Sequence, residues 1–268
     1  MKRDYTFDVE KVTGDCIQWI KDWFNENGKT CNAIIGISSG KDSTIVAKLC
    51  VEALGADRVI GVMMPDKGQG TNEADKIAEY LGIKYMVIPI DGVVAEFHKV
   101  WDDQDSDVIW SKQSEQNIPP RVRMTMLYAL SQTFNGRVAN TCNLSEDFVG
   151  YATLFGDAAG SFAPLSQLTV TEIYQIGDYL GLPYEWVHKI PDDGLPHSSS
   201  DEKKFGFSYA ELDRYIREGI VPEGACENNP DELKVDKIDR MHRNNKFKTE
   251  IVQIPHFNPL VEVFDLEL

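Results

Sequence analysis

The chain has 268 residues, 42% of them apolar, and a formal net charge of −16 at pH 7. That is enough apolar material to bury a full core in one large domain. The charge argues against a large nucleic-acid partner, which needs clustered Lys and Arg to neutralise phosphates, but leaves room for small anionic ligands at a locally basic site.

In chain order, residues 9–27 carry Val12, Cys16, Ile17, Trp19, Ile20, Trp23 and Phe24, mostly at helical spacing, and Asn27-Gly28 ends the helix. A βα alternation follows: strand 33–37, helix 44–54, strand 58–64, helix 72–81 closed by Gly82, strand 84–90 and helix 92–101. Residues 102–117 are polar and acidic and read as a connection. Pro119-Pro120 then opens a long helix through 134, with proline near the first position, where its missing N–H costs nothing. A strand at 137–141 precedes a loop-rich stretch, 143–165, and a helix over 170–180. Segment 191–205 (PDDGLPHSSSDEKKF) is the most loop-like in the chain and reads as a lid. Helices at 209–218 and 231–243 are C-terminal additions. Apolar runs alternating with helices predict a five-stranded parallel sheet covered on both faces, and right-handed crossovers make it a doubly wound, Rossmann-like α/β fold. No repeat or linker divides residues 1–268, which read as a single domain. Ligands are expected at the carboxyl ends of the strands.

The five cysteines, Cys16, Cys31, Cys50, Cys142 and Cys226, are scattered and contain no Cys-x-x-Cys. They read as reduced thiols of a cytoplasmic protein rather than a disulfide or zinc framework. The charged N-terminus (Lys2, Arg3, Asp4) is no signal peptide, and no apolar stretch is long enough to cross a bilayer.

Residues 34–43 (IIGISSGKDS) carry the chemistry. Ser38, Ser39 and Gly40 let the backbone approach a ligand, and the helix that follows directs unpaired N–H groups and its dipole at the same spot. The loop is built for phosphate. It is not a Walker A loop, which needs Gly, four residues and Gly-Lys-Ser/Thr. Asp42 beside a polyphosphate makes sense with a cation between them, which makes it a candidate Mg²⁺ ligand; the plain alternative is an N-cap. Later in the chain, Arg121 and Arg123 stand near a helix start, two apart and so on different faces. Asn143 and Glu146 follow a strand's carboxyl end, where Glu146 is also spaced as a capping-box residue.

The 34–43 string resembles the Ser-Gly-Gly-x-Asp-Ser loop of the ATP pyrophosphatases, with Ser39 at the usual first glycine. Taken with Asn117-Ile118, Arg121, Arg123 and Met124, then Thr141, Asn143, Ser145 and Glu146, then residues 150–157 (GYATLFGD), then Asp201-Glu202, Gly206 and Tyr209, the chain resembles the ammonia-dependent NAD⁺ synthetases. The resemblance runs from about the first helix to the last. It implies a homodimer that uses ATP and Mg²⁺ to join ammonia to deamido-NAD⁺ through an adenylate. It implies ATP contacts from Gly36, Ile37, Ser38, Ser39, Gly40, Lys41, Asp42, Ser43, Met64 and Thr141, with Lys41 and Asp42 stabilising charge and no protein nucleophile. Asp42 and Glu146 would hold Mg²⁺, and Arg121, as the first arginine of the family's pair, with Arg123, Asn143, Asp157 and Lys248, would contact deamido-NAD⁺. Leu154, Ser161, Val170 and Asp192 depart from the family pattern. Apolar faces on 117–134 and 170–180 are candidates for the dimer contact or for core. RNA-modifying relatives of the loop need a basic surface, and glutamine-dependent amidotransferases need a glutaminase part for which the chain has no room. A nucleotide sensor that has lost the chemistry, or an enzyme acting on another small carboxylate, are the alternatives.

Overall fold

The computed structural model of the chain describes residues 5–103, 109–189, 200–251 and 253–260. Helix α1 (Val9–Asn27) opens at Asp8, whose carboxylate accepts the N–H of Lys11 at 3.0 Å. Its stripe Val12, Cys16, Ile20 and Phe24 is buried. The alternation then gives β1 (Asn32–Gly36), α2 (Lys41–Leu54), β2 (Val59–Met63), α3 (Asn72–Leu81), β3 (Lys84–Val87) and α4 (Asp91–Asp102). Next come α5 (Lys112–Thr133), β4 (Gly136–Val138) and α6 (Leu144–Val149). The C-terminal part carries α7 (Val170–Tyr179), α8 (Tyr184–Val187), α9 (Asp201–Phe205) and α10 (Tyr209–Glu218). A small hairpin of β5 (Ala225–Cys226) and β6 (Asn229–Leu233) leads into α11 (Lys234–Asn245) and α12 (Phe247–Ile251). No helix among the described residues is long and apolar enough to cross a membrane.

The main sheet is parallel, in the order β3-β2-β1-β4. Ile34 in β1 pairs with Ile60 on one side and Val138 on the other. The chain leaves β1 toward β2 and β3 and comes back on β1's other side as β4. The loops after β1 and β4 therefore diverge and leave a crevice at their carboxyl ends. Successive side chains of β1 point to opposite faces. Ala33, Ile35 and Ile37 join a core with α1, α2 and α7, while Ile34 joins Ile60, Val62, Ile118 and Val122 beneath α4 and α5. A further core, with Leu144, Phe148, Phe205, Leu212, Ile216 and Ile238, binds the C-terminal helices together.

Several elements differ from the sequence reading. Among the described residues the sheet has four strands, not five. Beyond β4, single parallel bridges join Ala139 to Phe162 and Ala163 to His256. Pro164 and Pro255 flank these bridges and have no N–H to extend them into a strand. The strand expected over 84–90 stops at Val87 and leaves Tyr85 and Val87 exposed, because it is the sheet's edge. Helix α5 begins at Lys112, well before Pro119, because the Ser111 hydroxyl caps it by accepting the Ser114 N–H at 3.1 Å. Within the loop-rich 143–165, the side-chain oxygen of Asn143 accepts the Glu146 N–H at 3.0 Å and starts α6. The helix expected from 231 begins at Lys234, because Asn229–Leu233 first pairs back on Ala225–Cys226. Of the expected lid, 191–199 lies outside the described residues and Asp201–Phe205 forms α9. On 117–134 and 170–180, Ile118, Val122, Ile173 and Ile176 are buried in the core, while Met126, Leu127 and Leu130 are half-buried.

One buried ion pair ties this arrangement together. Arg217 and Glu172, 2% and 1% exposed, form a two-bonded pair, Nε to Oε1 at 2.7 Å and Nη2 to Oε2 at 2.8 Å. Nη2 also donates to Gln167 O at 2.6 Å. The same carboxylate accepts the Thr169 N–H at 2.7 Å and the Tyr5 hydroxyl. Arg217→Met should strand the Glu172 carboxylate without its counter-charge and destabilise the protein by about 3–5 kcal/mol. Urea unfolding measures this; a loss below about 1 kcal/mol would show the pair to be dispensable.

Candidate active site

The crevice between β1 and β4 is lined first by the turn from Gly36 to α2. Ser39 adopts φ +64°, in the left-handed region, where a residue with a Cβ is strained by roughly 1–2 kcal/mol. The turn is held by hydroxyls. Ser38 Oγ accepts the Gly40 N–H at 3.3 Å, and Ser43 Oγ accepts the Ser38 N–H at 3.3 Å. Ser43 Oγ and Thr44 Oγ1 donate to Gly40 O at 3.1 and 2.9 Å. Gly40, not Asp42, is the N-cap, and no side chain caps α2. The first N–H groups of the helix are thus left for an anion.

Two carboxylates meet beside this turn. Asp42 Oδ2 lies 2.8 Å from Lys41 Nζ, and Asp42 Oδ1 accepts the Asn143 amide at 3.4 Å. Asn143 also caps α6, so one side chain ties the start of α2 to Glu146 on the first turn of α6. Burial, and then the negative charge of Asp42, push the Glu146 carboxyl well above the usual carboxylate range, against the pull of Lys41. Lys41 is 4% exposed. Burial disfavours its ammonium, but Asp42 and Glu146 outweigh that and raise its pKa. The rings of Tyr174 and Tyr209 lie 6.0 and 5.9 Å from Nζ, within cation–π range. The Tyr209 hydroxyl is buried with no hydrogen-bond partner among the described residues.

Behind Glu146 stands a second polar layer. Ser145 Oγ donates to Asp213 Oδ1 at 2.5 Å and accepts the Val170 N–H at 3.0 Å. Asp213 Oδ2 accepts the Thr171 N–H at 2.8 Å. Burial pushes the Asp213 carboxyl up to about 6, against the hydrogen bonds from Ser145 and Thr171.

A cavity of about 610 Å³ gathers most of the residues singled out from the sequence: Gly36, Ile37, Ser38, Ser39, Gly40, Lys41, Asp42, Met64, Arg123, Thr141, Glu146 and Asp157. Ser43 is buried behind the turn. Of the two arginines, Arg123 lines the cavity, donating to Met64 O at 3.0 Å and Gln69 Oε1 at 3.2 Å. Arg121 is exposed and donates to Leu154 O at 3.4 Å. Lys248 donates to Gly150 O at 2.7 Å and Ala152 O at 3.0 Å, and faces a second cavity of about 840 Å³. Burial lowers its pKa, with Asp157 opposing. Val170 is fully buried, Ser161 Oγ accepts the Val138 N–H at 3.3 Å, and Asp192 lies outside the described residues.

Sequence reading gave no role to several lining residues. Tyr151 donates to Asp201 Oδ1 at 3.0 Å, and Lys204 Nζ donates to the Tyr151 hydroxyl at 3.1 Å. Both Tyr151 and Asp201 line the cavity and belong to segments that carried the family resemblance, which was the signal available. Lys189 pairs with Glu73 at 2.6 Å across the lining, and neither residue had a signal.

Asp42 and Glu146 are hard oxygen donors, and among the described residues no three His, Cys, Asp or Glu side chains converge on one point. Two carboxylates beside a phosphate turn suit Mg²⁺, which keeps several waters and shares its ligands with substrate phosphates.

The model of the family described as NAD synthase matches residues 12–252. The chain belongs to the NAD synthase family.

An NH(3)-dependent NAD(+) synthetase of Archaeoglobus fulgidus is 34% identical over 256 residues, 94% of this chain and 99% of that protein. Among solved structures, the NMN synthetase of Francisella tularensis superposes with a TM-score of 0.80 at 25% identity, covering 94% of this chain and all of that one. The NH3-dependent NAD synthetase of Campylobacter jejuni does so with a TM-score of 0.69 at 26% identity, covering 92% and 99%. Against the glycine that the family's loop carries, the strain at Ser39 becomes measurable. Ser39→Gly should stabilise the protein by about 1 kcal/mol, read as a higher midpoint in chemical unfolding. An unchanged or lower midpoint would mean that the turn holds Ser39 without strain.

Proposed function

We propose that the chain converts deamido-NAD⁺ to NAD⁺ with ammonia and ATP, releasing AMP and pyrophosphate. The observation that carries this reading is the pairing of Asp42 and Glu146 beside an uncapped helix N-terminus, in a chain of the NAD synthase family. In the first step an oxygen of the nicotinate carboxylate attacks the α-phosphorus, and the bond to the β-phosphate oxygen breaks. The turn 38–43 and the N–H groups of α2 would hold the departing pyrophosphate, and Lys41 adds positive charge. Bound by Asp42 and Glu146, Mg²⁺ would neutralise the leaving oxygens. In the second step ammonia attacks the acyl carbon, AMP leaves with the bonding electron pair, and a proton is lost. No protein nucleophile takes part; catalysis is positioning and charge stabilisation.

Gly36, Ile37, Met64 and Thr141 would contact ATP, and Arg123 and Asp157 the acceptor end of the same cavity. Arg121, which lines neither cavity, and Lys248 from the second cavity would serve deamido-NAD⁺, whereas Asn143, fully buried, is taken up in holding Asp42 and the start of α6. We read residues 1–268 as a single domain of a cytoplasmic protein, its five free cysteines supporting a reducing environment. A doubly wound arrangement is supported by the strand order, in which the chain leaves β1 on one side and returns as β4 on the other.

A second reading has its own observation. The higher of the two TM-scores belongs to an NMN synthetase, which favours a mononucleotide acceptor. Purified protein with ATP, Mg²⁺, ammonium and either deamidated acceptor separates them. NAD⁺ formed one-for-one with AMP, and lowered at least about a hundredfold by Asp42→Ala, is the expected outcome. Faster amidation of the mononucleotide would select the second reading. ATP binding without product from either would leave the sensor.

We further propose a homodimer. Val93 and Phe97 on α4 and Tyr85 and Val87 on the edge strand are exposed, apolar residues of the kind that mark a protein contact. Phe97→Glu should shift the sedimenting species from dimer to monomer. An unchanged dimer would move the contact elsewhere.

A further inference from the structure

The ammonium of Lys41 sits on the carboxylate that a divalent ion would use. Nζ is 2.8 Å from Asp42 Oδ2, the side chain is 4% exposed, and the rings of Tyr174 and Tyr209 enclose it at 6.0 and 5.9 Å. The other oxygen, Oδ1, is engaged by the Asn143 amide at 3.4 Å. Both oxygens of Asp42 are thus met by donors of the chain itself, and a metal ion reaches this carboxylate only by displacing one of them or crowding beside it. Asp42 and Glu146, both ionised as metal binding requires, would without Lys41 present two negative charges, a strong attractor for a divalent ion. With Lys41 the group carries one, and the incoming ion meets an ammonium already in place. At such separations, like charges in a half-buried site repel strongly.

A polyphosphate changes that balance. It would lie at the N-terminus of α2, in the cavity that Lys41 also lines, and its oxygens offer the ammonium a new partner. Displacement of Lys41 from Asp42 then leaves no charge uncompensated. We propose that Lys41 is an internal counter-ion that makes divalent-metal binding at Asp42 and Glu146 conditional on the nucleotide. This rests on the reading that these two carboxylates hold the metal.

Metal affinity, not turnover, tests it. Mn²⁺ binding is followed by electron paramagnetic resonance on the whole chain, alone and with a non-hydrolysable ATP analogue. The wild type alone should bind Mn²⁺ weakly, and the analogue should tighten binding beyond its own affinity for the ion. Lys41→Met should raise the nucleotide-free affinity about tenfold or more, whereas Lys41→Arg should leave it weak. Should the Met variant fail to fold, Lys41→Gln keeps a hydrogen bond to Asp42 without the charge and carries the same expectation. A folded Met or Gln variant with unchanged or weaker nucleotide-free affinity overturns the proposal. So does a wild type that binds Mn²⁺ alone as tightly as with the analogue, a comparison that needs no variant. Asp42→Asn separates the two levels of the argument. If it leaves Mn²⁺ binding with the analogue unchanged, the metal assignment fails. If it abolishes that binding while Lys41→Met changes nothing, the counter-ion role alone fails.

Discussion

The buried Arg217–Glu172 pair is the constraint on which the site's geometry depends. Glu172 lies on the first turn of α7 and Arg217 on the last turn of α10. An unpaired charge at either position would be costly enough that the two helices have one acceptable arrangement. With α7 and α10 locked, Asp213 on α10 reaches the Thr171 N–H and the Ser145 hydroxyl together. Ser145 in turn receives the Val170 N–H, which fixes the first turn of α6 against α7. Glu146 is the next residue. Its aim at Asp42 follows from a polar chain that begins two helices away.

The electrostatics of the cavity suit this acidic chain better than its anionic ligands would suggest. Asp42, Glu73, Glu146, Asp157 and Asp201 line it, against Lys41, Arg123 and Lys189. Carboxylates outnumber cations, so a bare triphosphate meets net repulsion, and a triphosphate that carries a divalent ion does not. The uncapped start of α2 attracts phosphate through dipoles rather than formal charge. The overall charge of −16 and a polyphosphate site are therefore compatible.

What could be read from the sequence was whatever a local stretch determines. The phosphate turn was legible because small residues and the helix start sit side by side. The end of α3 was legible because Gly82 adopts φ +65°, a left-handed cap that glycine fits. Less local features were hidden. Spacing alone could not rank Arg121 and Arg123, and the resemblance pointed to Arg121; Arg123 lines the cavity, because the choice of inward face is made where Ile118 and Val122 pack beneath the sheet. The burial of Lys41 depends on Tyr174 and Tyr209, more than a hundred residues further along the chain. The hairpin at 225–233 escaped notice because Asn229–Leu233 is polar and mostly exposed, with no alternation to mark a strand. The strand count failed where prolines stop a ladder after a single bridge.

Helix α5 carries two prolines in its interior. The carbonyls of Glu115 and Gln116 would ordinarily receive the N–H groups of residues 119 and 120, and proline has none to give. The helix is therefore two stiff rods meeting at an unlatched joint. The first rod ends near Asn117, whose side chain accepts the Thr153 hydroxyl at 2.9 Å on the segment beside Asp157. The second carries Arg123, fixed to Met64. Ile118 and Val122 are buried in one core on either side of the prolines, so packing rather than the helical ladder sets how the two rods meet.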